Sequence, residues 1–298
     1  MDYPFPRYGG READPLTTVA VLEGLGYGCR DNGLCFAINA HIWGCGSLIS
    51  AFGTEPQKAR FLPRLCTGEW IGALAVSEPE AGSDAYSLET TAEHRAAHYV
   101  LNGRKIFVTN GPVAGVIVVL ARTNPRKDAL GISGFLVEKD APGLTLSPAV
   151  DKMGLHTAAM GEVLLEDCTI PAENRLGQEG GGLALLNHAM EWERGFILAS
   201  AVGAMQRQLD QCREYARKRR QFGQPVGTFQ LVSSKLVDMR LRVETARMLL
   251  YKVAWLKTAG RPAAMEASMA KLHISENWVQ SCQDALQIHG GVRLFDRK

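Results

Sequence analysis

A chain of 298 residues that is 46% hydrophobic can bury substantial cores, and its length predicts about two domains. Lys and Arg total 33 against 31 Asp and Glu, so a formal net charge of +2 excludes a global electrostatic pull toward nucleic acid or an acidic membrane surface. Seven cysteines with no CxxC pair predict a reduced compartment; with no secretory opening and no apolar run approaching a membrane span, the expectation is a soluble, cytoplasmic protein.

From Leu16 to about Arg64 apolar residues recur at helical spacing, with Gly44, Gly53 and Pro63 as breaks, which predicts several short to medium helices. The texture changes at Ile71. Ile71 to Val76, Tyr99 to Val108, Val116 to Ala121, Gly134 to Val137 and Glu162 to Leu165 are β-branched or aromatic runs separated by Asn-Gly, Gly-Pro, Pro-Gly and Ser-Gly turns. They predict a small β domain ending near Pro171. After the glycine-rich joint Gly177 to Gly182 the pattern is helical: one long helix from Leu183 to about Arg220, a second N-capped by Thr228 and reaching about Ala259, and a third opened by Pro262 and reaching about Ile288. Short loops between long helices predict an antiparallel bundle. The expected fold class is α+β: an N-terminal helical segment over 1–70, a small β-barrel or sandwich domain over 71–177, and a C-terminal antiparallel helical bundle over 178–298.

Ser77 to Asp84 reads SEPEAGSD, and by itself this is a surface turn, since Pro, Gly, Ser and Asp are turn residues. Its carboxylates suit capping and hydrogen-bonding of the turn itself. In LNGRKIFVTNG, strand alternation sends Phe107 and Thr109 to one face. The run Arg217-Lys-Arg-Arg complements the negative pole of a helix end, and no second basic cluster supports a nucleic-acid surface. A proton-abstracting carboxylate must sit away from water. Glu191 and Glu193 in MEWERGF both qualify; two residues apart on a helix, they point to roughly opposite sides, and the apolar rows beyond them do not choose between the two. His94 and His98 fall in a β region and read as a solvent-facing turn, so no metal is expected.

Six separated motifs occur in order: AVSEPEAGSD at 75–84, LNGRKIFVTNG at 101–111, KMG at 152–154, ERG at 193–195, RRQFG at 219–223 and QIHGG at 287–291. With the helical, β, helical order they resemble the acyl-CoA dehydrogenases, FAD enzymes that introduce a carbon-carbon double bond next to a thioester. The resemblance spans nearly the whole chain, from Tyr8-Gly-Gly to Gly290-Gly291. It implies FAD as cofactor, an acyl thioester on CoA or a carrier protein as substrate, an electron-transfer flavoprotein as acceptor, and a homodimer or homotetramer. It places Ser77 and the backbone near Val76 on the flavin, Ser83 at the phosphate region of cofactor and thioester, and Phe107 with Thr109 against the ring, where many relatives carry Trp at the position of Phe107. Arg219, Gln221 and Phe222 would reach the neighbouring subunit's FAD, with Gln287, Gly290 and Gly291 completing that site; a guanidinium grips a diphosphate bidentately. Ser83, Glu191 and Arg194 fall to the substrate. Glu193 stands where the isovaleryl and long-chain types keep their catalytic base. The motif pattern starts late and stops early relative to the family, an expected truncation at both ends, and VRLFDRK replaces the family's continuation. The alternative is a catalytically silent fragment acting as an interaction or remnant protein.

Overall fold

The computed structural model describes residues 8–10, 13–124 and 129–291. Helices α1 (Pro15–Gly28) and α2 (Asn32–Ala40) lead into a π-helical turn (His41–Gly46), followed by α3 (Ser47–Phe52) and α4 (Glu55–Thr67). The strands β1 (Ile71–Ala75), β2 (Thr91–Arg95), β3 (His98–Thr109), β4 (Ala114–Arg122), β5 (Ile132–Glu138), β6 (Leu144–Leu146), β7 (Met160–Pro171) and β8 (Arg175–Leu176) come next. Helices α5 (Gly182–Phe196) and α6 (Ala199–Lys218), the short hairpin β9 (Arg220–Gln221) and β10 (Gln224–Pro225), and helices α7 (Gln230–Thr258) and α8 (Ala264–His289) complete the order. The chain divides into two compact units, one of residues up to Ala13 with Phe36–Glu193, the other of Asp14–Cys35 with Arg194 onward.

In the first unit the sheet runs β6-β7-β3-β2-β4-β5-β8 among the described residues, with β1 paired in parallel to β4. β4 is buried on both faces, and alternation sorts its side chains between two cores. Val116, Val118 and Leu120 pack with Leu48, Ile49, Phe61, Leu62 and Leu65 of α3 and α4 and with Leu185 and Ala189 of α5. Ile117, Val119 and Ala121 pack with Tyr99, Phe135, Val163 and Ile170 on the other side. Each buried aliphatic side chain of this kind contributes about 1.5–3 kcal/mol. α4 opens on a capping box, with Thr54 and Gln57 exchanging side-chain bonds, and closes on Gly68 at φ 77.

The second unit is helical. α1 starts where Asp14 accepts from the Thr17 N–H at 2.7 Å and Pro15 takes the first turn. It crosses α6 with backbones touching: a Cβ on Gly26 would lie 1.8 Å from Ser200 O, and one on Gly203 would lie 1.9 Å from Glu23 O. The Arg207 guanidinium then donates to the carbonyls of Gly26, Tyr27 and Cys29, satisfying the open end of α1. Asp284, buried on α8, accepts from Lys235 at 2.7 Å and Arg242 at 2.6 Å on α7.

Several sequence expectations change. The single helix over Leu183–Arg220 is two, α5 and α6, interrupted at Ile197 and Leu198; no proline or capping side chain stands there, so packing sets the break. Thr228 does not cap α7: its hydroxyl donates back to Pro225 O at 2.7 Å, and Phe229 precedes the helix. Gly44 lies inside the π-helical turn and Pro63 inside α4, so only Gly53 of the three expected breaks ends a helix. His94 and His98 belong to the hairpin of β2 and β3, whose turn includes Ala96 at φ 52; β2 buries Ala92 alone and carries no apolar alternation to announce it. Asn32–Phe52 is long and apolar enough to cross a membrane, but 67% of its apolar window is buried within the protein, as for a core helix.

Candidate active site

β1 delivers the chain into the acidic loop. Glu78 and Ala81 exchange backbone hydrogen bonds at 2.8 and 3.2 Å, closing the turn around Pro79 and Glu80. The Glu78 side chain is 5% exposed and does not face water: its carboxylate meets Lys105 Nζ at 2.7 Å and accepts from the N–H groups of Glu89 at 2.6 Å and Thr90 at 3.1 Å. Lys105 is 0% exposed and also donates to Val76 O at 3.0 Å. Burial acts to raise the Glu78 pKa, but Lys105 and the backbone donors outweigh it and hold the carboxyl below its usual range. Burial pulls the Lys105 ammonium down to about 8 against the opposing pull of Glu78. One residue along, the Ile106 N–H donates to Ser77 O at 2.9 Å, so the loop is fastened to β3 on both sides of Ser77.

β3 is bulged where the loop meets it, with a register shift between Lys105 and Val108. Phe107 sits at the bulge with φ 56 and is 69% exposed. A bulky residue held in the left-handed region costs about 1–3 kcal/mol, which the bulge and its surroundings must offset. Beside the ring lies a cleft of about 210 Å³ lined by Pro79, Ile106, Phe107, Val150 and Met160, with Arg104 and Glu162 at its edge. Val76, Ser77 and Thr109 are half-buried around it in sequence, and Ser83 is exposed. An exposed aromatic ring beside an apolar cleft that Pro79 of the loop also lines suits a planar ring such as a flavin.

α5 brings a different group into the first unit. A Cβ on Gly44 would stand 2.9 Å from Glu193 Oε1 and 3.4 Å from the Leu74 Cβ of β1, so the carboxylate rests on the bare backbone of the π-helical turn. The neighbouring Trp192 stacks on Trp43 at 5.4 Å with ring planes 9° apart. His41, in the same turn, accepts from the Gly72 N–H through Nδ1 at 2.8 Å; that tautomer leaves Nε2 to donate to Leu65 O at 3.3 Å. Burial pushes the His41 pKa down to about 4. Glu191 is half-buried and Arg194 exposed. The π-helical turn, the Trp pair and the Lys105 anchor carry no signal in the sequence reading.

The remaining expected cofactor residues lie in the second unit. Arg219 ends α6, and the following hairpin turns on Phe222 at φ 52 and Gly223 at φ 76. Phe222 is 92% exposed and meets Phe229 edge-on at 6.1 Å. Tyr215 packs on His289 with ring centres 4.5 Å apart and planes tilted by 33°, and donates to its carbonyl at 3.4 Å, which sets the ends of α6 and α8 side by side. Arg219, Gln221, Gln287, Gly290 and Gly291 are all exposed at those ends.

Family models for the acyl-CoA dehydrogenase N-terminal, middle and C-terminal domains match residues 2–69, 73–168 and 180–294. The chain belongs to the acyl-CoA dehydrogenase family. Within the family it is 42% identical to the L-prolyl-[peptidyl-carrier protein] dehydrogenase of Serratia sp. (strain ATCC 39006), over 97% of this chain and 75% of that protein. The crystal structure of the prolyl acyl carrier protein oxidase AnaB superposes with a TM-score of 0.97 at 55% identity, covering 99% of this chain and 78% of that one. PigA with FAD and proline superposes with a TM-score of 0.94 at 41% identity, covering 97% and 76%.

Proposed function

We propose that this acyl-CoA dehydrogenase family member is an FAD-dependent oxidoreductase that desaturates an acyl thioester, and that the acyl group is L-proline carried on a peptidyl-carrier protein. The observation that carries the reaction type is the seating of Glu193 in the first unit, against the strand that leads into the Ser77 loop. The carrier reading rests on the prolyl-carrier substrates named for the Serratia relative and AnaB, and on PigA's proline complex.

Glu193, as the carboxylate, takes the proton from the carbon next to the thioester carbonyl, where the carbonyl acidifies the C–H bond. FAD, when bound, would supply the two-electron acceptor for the hydride released from the next carbon as the double bond forms. Val76, Ser77, Ser83, Phe107 and Thr109 hold the ring side of the cofactor. Arg219, Gln221, Phe222, Gln287, Gly290 and Gly291 of a second copy hold its diphosphate side in a homo-oligomer. Ser83, Glu191 and Arg194 orient the thioester. Electrons leave to an electron-transfer flavoprotein in the cytoplasm; the oxidase name of AnaB makes molecular oxygen the second reading.

The test is anaerobic mixing of FAD-loaded protein with L-prolyl-loaded carrier protein or with butyryl-CoA, following loss of flavin absorbance. Rapid bleaching by the prolyl carrier and slow bleaching by butyryl-CoA is expected; the reverse order refutes the carrier assignment. Glu193→Gln is expected to keep FAD and bleach roughly a hundred- to ten-thousandfold more slowly. Oxygen uptake without a flavoprotein acceptor would decide for the oxidase reading.

A further inference from the structure

We infer that Gly44 is a positioning residue for the base: the absence of its side chain fixes where the Glu193 carboxylate sits. The inference rests on the reading of Glu193 as the base. Gly44 has no backbone reason to be glycine, since it lies outside the positive-φ residues and inside a helical run. Alanine is the better residue in such a place. What a methyl group would meet there is Glu193, with Oε1 at 2.9 Å and Cδ at 4.0 Å; the next neighbour, Leu74 Cβ at 3.4 Å, is an ordinary contact.

The seat is itself held in register with the flavin loop. The π-helical turn bonds Ser47 N–H to Ile42 O, one residue beyond α-helical spacing, and such turns recur at functional sites. His41 fastens the turn to Gly72 of β1. Cys45 packs so closely on Gly72 that a Cβ there would lie 2.6 Å from the Cys45 Cβ. Trp43, whose Nε1 donates to Asn39 at 3.2 Å, presents its face to Trp192, the residue before the base. β1 therefore carries the seat at Gly72 and Leu74 and, three residues after Leu74, leads to Ser77, so one strand sets both the base and the proposed cofactor side of the reaction.

A methyl group on Gly44 forces the carboxylate oxygen to move by several tenths of an ångström, and catalytic geometry tolerates about 0.5 Å. Gly44→Ala is therefore expected to melt no lower than the wild type, to keep its FAD, and to change KM for prolyl-carrier protein less than about threefold. Flavin reduction should fall about ten- to a hundredfold. Exchange of solvent deuterium into the proline Cα position should fall by the same factor, a readout of the carboxylate alone. In a Glu193→Asp background, where the carboxylate is drawn back by one methylene, adding Gly44→Ala should cost less than about threefold. A folded Gly44→Ala variant that reduces flavin at the wild-type rate, or that loses as much in the Asp background as in the Glu background, overturns the proposal. If Gly44→Ala does not retain FAD, adding Glu193→Asp, which draws the carboxylate back from the new methyl group, is expected to restore retention, and a double variant that still loses FAD overturns the proposal. Glu193→Gln measured alongside separates the two readings, because full activity in that variant refutes the base while leaving the Gly44 result to stand as a packing effect.

Discussion

Replacing Lys105 with methionine tests whether the flavin loop is held by a buried charge. Methionine keeps the stem but deletes the Nζ contacts to Glu78 at 2.7 Å and Val76 O at 3.0 Å. The Glu78 carboxylate, 5% exposed, would remain with two backbone donors and no counter-charge. Removing one partner of a buried pair costs about 3–5 kcal/mol. At 2–4 °C per kcal/mol that is a fall of roughly 6–20 °C in melting temperature of the FAD-saturated protein. Adding Glu78→Gln removes the stranded charge, so the double variant should recover about 1–3 kcal/mol. Both variants should bind FAD more weakly than wild type, because Val76 O, next to Ser77, loses its Lys105 donor and only the Ile106 N–H still ties Ser77 to β3. The pair also predicts acid sensitivity. Glu78 titrates in the folded protein below its unfolded value, so its contribution is present above that value and is lost as pH falls through the folded pKa. Thermal melts by circular dichroism across pH, with FAD titrations, decide the matter. A Lys105→Met protein melting within about 1 °C of wild type, or a double variant no better than the single, refutes the account.

His41 makes a second pH prediction with the same sign. Its pKa falls from 6.5 to about 4 on folding, so stability is complete above the unfolded value and is lost as pH drops toward the folded one, by about 3 kcal/mol in all. His41→Gln should flatten the acid limb between those values, and denaturant titrations at pH 7 and 5 that show equal slopes for both proteins would refute it. Arg219→Ala should weaken FAD retention far more than Lys218→Ala, because only the guanidinium is assigned to the diphosphate; Lys218 is engaged with Glu214 on its own helix. Equal FAD retention after gel filtration in the two variants would remove Arg219 from the site.

What could be read in the sequence was local chemistry. The turn at SEPEAGSD and a helix end near Arg220 follow from residue type and period, and the structure turns at Glu78–Ala81 and ends α6 at Lys218, whereas the exposure of Phe107 comes from the bulge and not from alternation. The missing parts are long-range. Lys105 stands in a strand whose alternation passes through a bulge, and its partner Glu78 lies 27 residues away, so nothing near either residue announces a buried pair. Gly44 carries the usual mark of a break, yet the π-helical turn runs through it, and the Glu193 carboxylate and Leu74 come as close there as glycine permits. The interruption between α5 and α6 and the strand β2 likewise depend on what they pack against rather than on their own residues.

The acidity of the loop proposed to approach an anionic cofactor is accounted for once each carboxylate is followed to its partner. Carboxylates facing a diphosphate would cost affinity through like-charge repulsion. Glu78 instead turns inward to Lys105 and the N–H groups of Glu89 and Thr90, where its charge is neutralised and its lone pairs are used. Asp84 accepts from the Tyr86 N–H at 3.3 Å and opens a short 3₁₀ turn. Glu80 sits at the exposed tip of the turn closed by Glu78 and Ala81. Glu78 and Asp84 thus hold the turn through their own partners, which leaves Ser77, Gly82 and Ser83 for the donor role proposed above. Glu78→Lys, which would add a cation to an anion site, should therefore weaken FAD binding: two buried cations side by side would open the loop that carries those donors.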